Sequence, residues 1–318
     1  MTVLEKTKKS TNVRIQNRRT LILRGLLQGG MGLLSSVAPN LVVSVVERMI
    51  RSPRRFLPPS REQACLANSE HFLVRAGRHT LSCWRWGNPS APTIALIHGW
   101  EGRGAQLGAF IEPLLRAGKS VVAFDAPGHG SSPGRSCTLP DFIDALWALH
   151  RHQQVISGGE ARALVGAIGH SLGTTALALA IAEGLPVDKA VLLAPPSSMY
   201  ASVEIFGQHV GLSDRACVQL RRALESRFHL PWDQYFGNPQ NPVRNLPLLL
   251  VHDRYDRDVP FSEGQRLADT LQNSVLFATE GLGHRRILQD PVVIEKVTQF
   301  MCSASTCRYE NSDSHAEN

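Results

Sequence analysis

The stretch Leu164-Val165-Gly166-Ala167-Ile168-Gly169-His170-Ser171-Leu172-Gly173 decides the fold. Residues 164–168 form a short, mostly apolar run that reads as a buried strand, and the chain from Leu172 to Glu183 reads as a helix. Between them lies G-x-S-x-G, a pattern that needs this context. In such a strand–turn–helix the serine sits in a strained backbone geometry, with glycines two before and two after leaving room for close strand–helix packing. The Ser171 side chain is then lifted above the C-terminal edge of the sheet, with the helix N-terminus pointing at it.

Outward from this turn the chain alternates strands and helices. Short alternating runs at 71–74 and 80–86 around Gly77 predict a leading antiparallel hairpin. Strands are predicted at 93–98, 121–124, 190–193, 248–251 and 275–277. Helices are predicted at 107–117, 139–150 (with Pro140 and Asp141 as its start), 262–271 and 291–301. Continuous Val/Ile/Leu strands separated by helices indicate an α/β fold, a mostly parallel sheet covered on both faces. Residues 196–245 are too long for an ordinary crossover and read as an inserted helical cap, with helical stretches at 203–210 and 215–228.

A serine nucleophile needs a base and an acid that orients it. His284 follows the strand at 275–277 through Gly281-Leu282-Gly283, a flexible loop near the end of the chain, as the order Ser, Asp, His requires. His98 and His170 belong to backbone motifs and are assigned structural hydrogen bonds. His150 and His152 are two apart on a helix, share no face and make a poor metal pair. The acid should follow the strand at 248–251. Of Asp253, Asp256 and Asp258, Asp256 is chosen: Asp253 lies too close to the strand end, and Asp258 suits the turn or the cap of the next helix. An oxyanion needs preorganised donors. The backbone N–H of Leu172 and that of Trp100, in His98-Gly99-Trp100 at a strand end, are the candidates.

These segments together resemble the alpha/beta-hydrolase superfamily. The matching pieces are His98-Gly99-Trp100, Phe124-Asp125-Ala126-Pro127-Gly128-His129-Gly130-Ser131-Ser132, Gly169–Gly173, 252–260 and Gly283-His284, in family order over roughly residues 70–301. The resemblance implies an eight-stranded, mostly parallel sheet and a Ser171–Asp256–His284 triad. It makes Asp125 structural. Epoxide hydrolases and haloalkane dehalogenases carry an aspartate at the elbow where this chain has Ser171, and the HGGG pattern of hormone-sensitive-lipase-like esterases is absent. The segment 99–110 looks most like uncharacterised bacterial hydrolases, which names no substrate. No nucleotide-binding glycine motif is present, so no cofactor is expected.

The expected activity is cleavage of a carboxylic ester or thioester by a serine hydrolase. Acyl transfer, perhydrolysis and carbon–carbon bond hydrolysis on the same triad are alternatives, as is a non-catalytic binding protein on the same scaffold. The expected partner is a small-molecule acyl substrate. Met199, Tyr200, Phe206, Trp232 and Tyr235 of the cap would shape its site or form a small cap core.

Composition sets the remaining bounds. The 318 residues are 43% hydrophobic and 19% charged, which excludes a disordered chain, a collagen and a coiled coil. Six cysteines (65, 83, 137, 217, 302 and 307) form no CxxC pair and no disulfide framework. The net charge of +7 is unevenly placed. Residues 1–62 hold twelve Lys and Arg against Glu5, Glu47 and Glu62, leaving the rest at −2. The core is thus assigned to 63–195 and 246–302, a basic arm to 1–62 and a disordered tail to 303–318. Residues 1–20 read as mobile and 51–62 as a linker. Residues 25–46 carry no charge, but their Gly, Ser, Gln and Asn content is high for a spanning helix. Apolar residues at Ile22, Leu26, Leu33, Val37, Leu41, Val45 and Met49 form a one-sided helical stripe broken near Pro39. Helices packed on the body or lying on a membrane surface are favoured over a spanning anchor or a cleaved signal. The arm lacks interleaved aromatics, so nucleic acid is not expected. The expected location is cytoplasmic, with peripheral membrane contact through residues 1–62.

Overall fold

The computed structural model describes residues 29–159, 163–228 and 241–303. The expectations of a mobile start and a disordered tail fall outside these residues, apart from Ser303. At the centre is an eight-stranded sheet in the order β1-β2-β4-β3-β5-β6-β7-β8. Its strands are β1 Glu70–Ala76, β2 His79–Trp86, β3 Thr93–Ile97, β4 Ser120–Phe124, β5 Gly166–His170, β6 Ala190–Leu193, β7 Leu248–Asp253 and β8 Ser274–Thr279. The β1–β2 hairpin and the β2–β4 pair are antiparallel, and every other pair is parallel. Strands β3 to β7 are buried along their whole length, as their unbroken apolar runs require of a sheet covered on both faces.

β5 lies two residues later than its apolar run suggests. Leu164 is fully buried, but it packs ahead of the ladder. Gly166 and Ala167 are the residues aligned with Ile94 and Ala190 on the flanking strands. A side chain at Gly166 would meet Met301 Sδ at 3.0 Å, so the crowded centre of the sheet selects the small residues. The helix expected at 107–117 is a 3₁₀ segment, Gly104–Phe110, followed by a short α-helix, Ile111–Arg116. The helix Leu139–Ile156 is started by Thr138, one residue before it. Asp141 N–H donates to Thr138 Oγ1, and Asp141 Oδ2 accepts from Thr138 N–H at 2.7 Å, closing a capping box.

The segment read as a linker is tied down. Arg54 makes a two-toothed contact with Glu101, at 2.8 and 3.0 Å. Arg55 donates to the carbonyls of Gly128, Ser132 and Gly134. Helix Ser60–Ala67 begins inside the segment, and its Glu62 pairs with Arg103.

The described residues fall into two compact units. One holds 29–49 and 202–228, and the other holds 50–159, 163–201 and 241–303, including the whole sheet. Residues 29–37 and Pro39–Ile50 are helical on either side of Ala38, all but Ile50 within the first unit. The ladder nearly continues through the break, with Ala38 N–H donating to Leu34 O at 2.8 Å and Val42 N–H to Ala38 O at 3.2 Å. The segment expected to form a cap contains the helices Met199–Val210 and Asp214–Phe228. Ser35 bonds to Ser213 at 3.0 Å, and Glu47 pairs with Arg227 at 2.6 Å. The N-terminal helical segment therefore runs parallel to Asp214–Phe228. Among the described residues, no helix is long and apolar enough to cross a membrane.

Candidate active site

β5 ends at His170, and helix Leu172–Ala182 starts two residues later, so the whole turn is Ser171. Its backbone adopts φ 51 and ψ −123, a region that disfavours any residue with a Cβ and costs on the order of 1–3 kcal/mol. The surroundings hold it there. Ser171 N–H donates to Leu193 O on β6 at 2.9 Å, and Ser171 O accepts from Thr174 N–H at 2.9 Å and Thr174 Oγ1 at 2.6 Å. A Cβ at Gly169 would lie 3.0 Å from Gly173 O, and one at Gly173 would lie 2.7 Å from Ile97 O. The motif needs its glycines because β3, β5 and the helix approach backbone to backbone.

Ser171, Asp256 and His284 all follow the carboxyl ends of parallel strands: β5, β7 and β8. The structure brings Asp256 and His284 together, Nδ1 to Oδ2, at 2.7 Å. The other Asp256 oxygen, Oδ1, accepts from Asp258 N–H at 2.8 Å and Val259 N–H at 2.9 Å. Burial alone pushes the Asp256 carboxyl up. The bond from His284, its charge, and the two N–H groups outweigh that and hold the carboxyl below its usual range. An ionised Asp256 requires the His284 proton on Nδ1, which leaves Nε2 as the basic nitrogen.

Asp253 and Asp258 have other tasks. Asp253 accepts from Thr279 Oγ1 at 2.9 Å and Leu282 N–H at 2.8 Å, fastening the end of β7 to the segment that carries His284. Asp258 does not cap the next helix, whose N-cap is Pro260 with no side-chain bond. Nor is His284 on an open loop: it sits in the short helix Gly283–Arg286, and its carbonyl accepts from His170 Nε2–H at 2.9 Å. That tether joins the residue before the nucleophile to the base. It spans 114 positions, and no local pattern announced it.

The expected oxyanion donors lie on two turns. Leu172 is the first helical residue, so its N–H has no intrahelical acceptor. A Cβ on Gly99 would lie 3.0 Å from Ser171 Cβ, which puts the His98-Gly99-Trp100 turn beside the nucleophile. His98 fixes this turn. Its Nδ1–H donates to Gly99 O at 2.7 Å, and its Nε2 accepts from Ala126 N–H at 3.0 Å. Glu101, next after Trp100, has φ 57 and is gripped by Arg54, a residue whose local sequence gave no sign of this role. Asp125 accepts from Gly104 N–H and Ser131 N–H at 2.8 and 2.7 Å, a purely structural use. Among the described residues, no three His, Cys, Asp or Glu side chains gather as a metal site. Trp232 and Tyr235 lie outside the described residues.

His98, His129 and His170 are buried in neutral form. Burial lowers His129 to about 4 and His170 to about 3, and takes His98 well below its ordinary value. Unfolded, each would bind a proton near its ordinary 6.5. The native state binds fewer protons, so this contribution is complete above the unfolded value and is lost as pH falls toward the native ones. Asp125, raised to about 6 by burial, acts in the opposite sense, one group against three. The thermal midpoint is expected to fall steadily from about pH 6.5 to about pH 4. A midpoint that held or rose over that window would refute this account.

The comparisons agree with the architecture. A family model described as the alpha/beta hydrolase family matches residues 94–297. Human protein ABHD12B is 26% identical over 243 residues, 69% of this chain and 63% of that protein. The monoglyceride lipase of Rattus norvegicus is 32% identical over 135 residues, 40% of this chain and 44% of that enzyme. The chain therefore spans less than two thirds of the length of either of these relatives. A solved esterase from Pyrococcus furiosus superposes with a TM-score of 0.59 at 21% identity, over 79% of this chain and 97% of that one. With 94–297 matched in a continuous run and the eight-stranded sheet in place, the chain belongs to the alpha/beta hydrolase family.

Proposed function

We propose that the protein is a cofactor-free serine hydrolase that cleaves a carboxylic ester or thioester through an acyl-enzyme on Ser171. The observation that carries this reading is the 2.7 Å bond from His284 to a buried, ionised Asp256, at the same sheet edge as a serine held at φ 51. His284 Nε2 takes the Ser171 proton as Oγ attacks the acyl carbon. Asp256 fixes the imidazole and stabilises the cation that forms. The carbonyl oxygen becomes an oxyanion beneath the N–H groups of Trp100 and Leu172. The His284 proton passes to the leaving alcohol or thiol, leaving the acyl group on Ser171. Water, deprotonated by His284, then attacks the acyl-enzyme. Collapse releases the acid and returns the proton to Ser171. Relatives and structural neighbours named as a lipase and an esterase support the choice of an ester.

The test combines a fluorophosphonate probe with a panel of acyl esters and thioesters of graded chain length, plus a diketone. Stoichiometric labelling mapped to Ser171, with turnover of at least one ester or thioester, is expected. A folded protein that is not labelled would sink the reading. Labelling with turnover of the diketone alone would move the chemistry to carbon–carbon cleavage.

A further inference from the structure

We propose that the N-terminal helical segment, residues 29–49, is a docking face for an anionic lipid bilayer. The inference does not depend on the hydrolase reading, since it concerns the other compact unit. The segment is apolar on two sides. One side, with Val42, Val43 and Val46, is buried. The Ser35–Ser213 bond and the Glu47–Arg227 pair fix the segment within its unit. The other side is the stripe Leu33, Val37, Leu41, Val45 and Met49, joined by Leu34. It faces solvent, with Val37 79%, Leu33 71% and Leu41 64% exposed. The core of the unit therefore does not account for the stripe. A run of large aliphatic side chains this exposed marks an interaction surface.

Charge selects the occupant. Seven Lys and Arg precede residue 29, against the single acid Glu5. Arg48 lies exposed on the helix itself, and the nearby Glu47 is engaged by Arg227. The sequence that leads into the stripe is therefore strongly positive. A second copy would add a second such basic segment to the assembly, whereas a negatively charged surface relieves that repulsion. Nucleic acid offers negative charge but gives six aliphatic side chains nothing to enter. A bilayer of anionic lipids supplies both charge and an apolar boundary. Among the described residues no helix can cross a membrane, so the segment would lie in the interface plane with its stripe down and its buried side toward the protein.

Vesicle sedimentation of the full chain tests this. Binding to phosphatidylcholine–phosphatidylglycerol vesicles at low salt is expected to exceed binding to phosphatidylcholine alone by about tenfold or more, and to weaken in high salt. The double substitution Val37→Ser with Leu41→Ser should lower partitioning by about tenfold. A second pair, Leu33→Ser with Leu34→Ser, should do the same. These positions are exposed, so the thermal midpoints should stay at the parent value, and ester turnover without vesicles should be unchanged. Deleting residues 1–28 should weaken binding and its salt dependence together. The proposal is overturned if neither pair changes partitioning, or if the full chain ignores both vesicle types. It is also overturned if the deletion strengthens binding, which would mean that residues 1–28 cover the stripe. A drop in solution mass from dimer to monomer in the serine pairs, read by light scattering, would assign the face to a second copy instead.

Discussion

Replacing Ser171 by alanine is expected to lower kcat for any ester substrate by on the order of 10⁴-fold or more and to abolish fluorophosphonate labelling. The loss should fall on kcat with little change in KM, because the hydroxyl forms its bond to substrate only on the way to the transition state. The fold should survive. Ser171 is held through its backbone, by Leu193 O, Thr174 N–H and Thr174 Oγ1, and alanine keeps all three contacts. Ser171→Gly gives a sharper form of the same test. It is equally inactive, yet glycine occupies φ 51 without a Cβ penalty. The glycine variant should be more stable than the alanine variant by about 1 kcal/mol, read as a higher midpoint of denaturant unfolding. A Ser171→Ala protein that retained more than about a tenth of the parent turnover would remove the nucleophile from the mechanism.

Asp256→Asn is expected to cost on the order of 10⁴-fold in kcat. The two carboxylate oxygens of Asp256 do separate work. Oδ1 accepts from the Asp258 and Val259 N–H groups, and the amide oxygen of asparagine can take that place, so the loop should keep its shape. Oδ2 accepts the proton on His284 Nδ1. An amide NH₂ at that point cannot accept it and would donate instead. The imidazole would then carry its proton on Nε2, the nitrogen that the proposed mechanism needs free to receive the Ser171 proton. The imidazolium formed during attack would also lose its buried counter-charge. Comparison of kcat for parent and variant, with circular dichroism to show an intact fold, decides the matter. A loss of less than about tenfold would mean that Asp256 only shapes the loop.

Legibility followed chain distance. The elbow could be read because strand, turn and helix lie within twenty residues, and a serine between two spaced glycines needs the close packing that β3 and β5 provide. Asp256 was distinguished from Asp253 by its offset from the strand end. The structure gives the reason: Asp253 is still in β7, and its carboxylate is taken up by Thr279 and Leu282. β5 starts two residues after its apolar run begins, and Leu139–Ile156 is capped by Thr138, three residues ahead of Asp141. In one case small residues were needed in a crowded sheet, and in the other a threonine stood one residue outside the apolar pattern. Arg54 and Arg55 looked like part of a charged linker. Nothing near them in the chain revealed Glu101, or the carbonyls of the turn around Gly128, as their partners.

By itself, the sequence singled out Ser171, Asp256 and His284 as the candidate residues and fixed the order in which they appear, because hydrophobic period and glycine spacing are local and act before any long-range contact forms. It also determined that the N-terminal segment has an apolar stripe. Only the tertiary structure decided that the other side of that segment is the buried one and that this stripe faces solvent. The tertiary structure also decided that His170 tethers His284, and that Arg54 steadies the turn bearing Trp100. A side chain declares its type in the chain, but its partner is set by which strands and loops the sheet order makes neighbours, and those contacts join positions tens to more than a hundred residues apart.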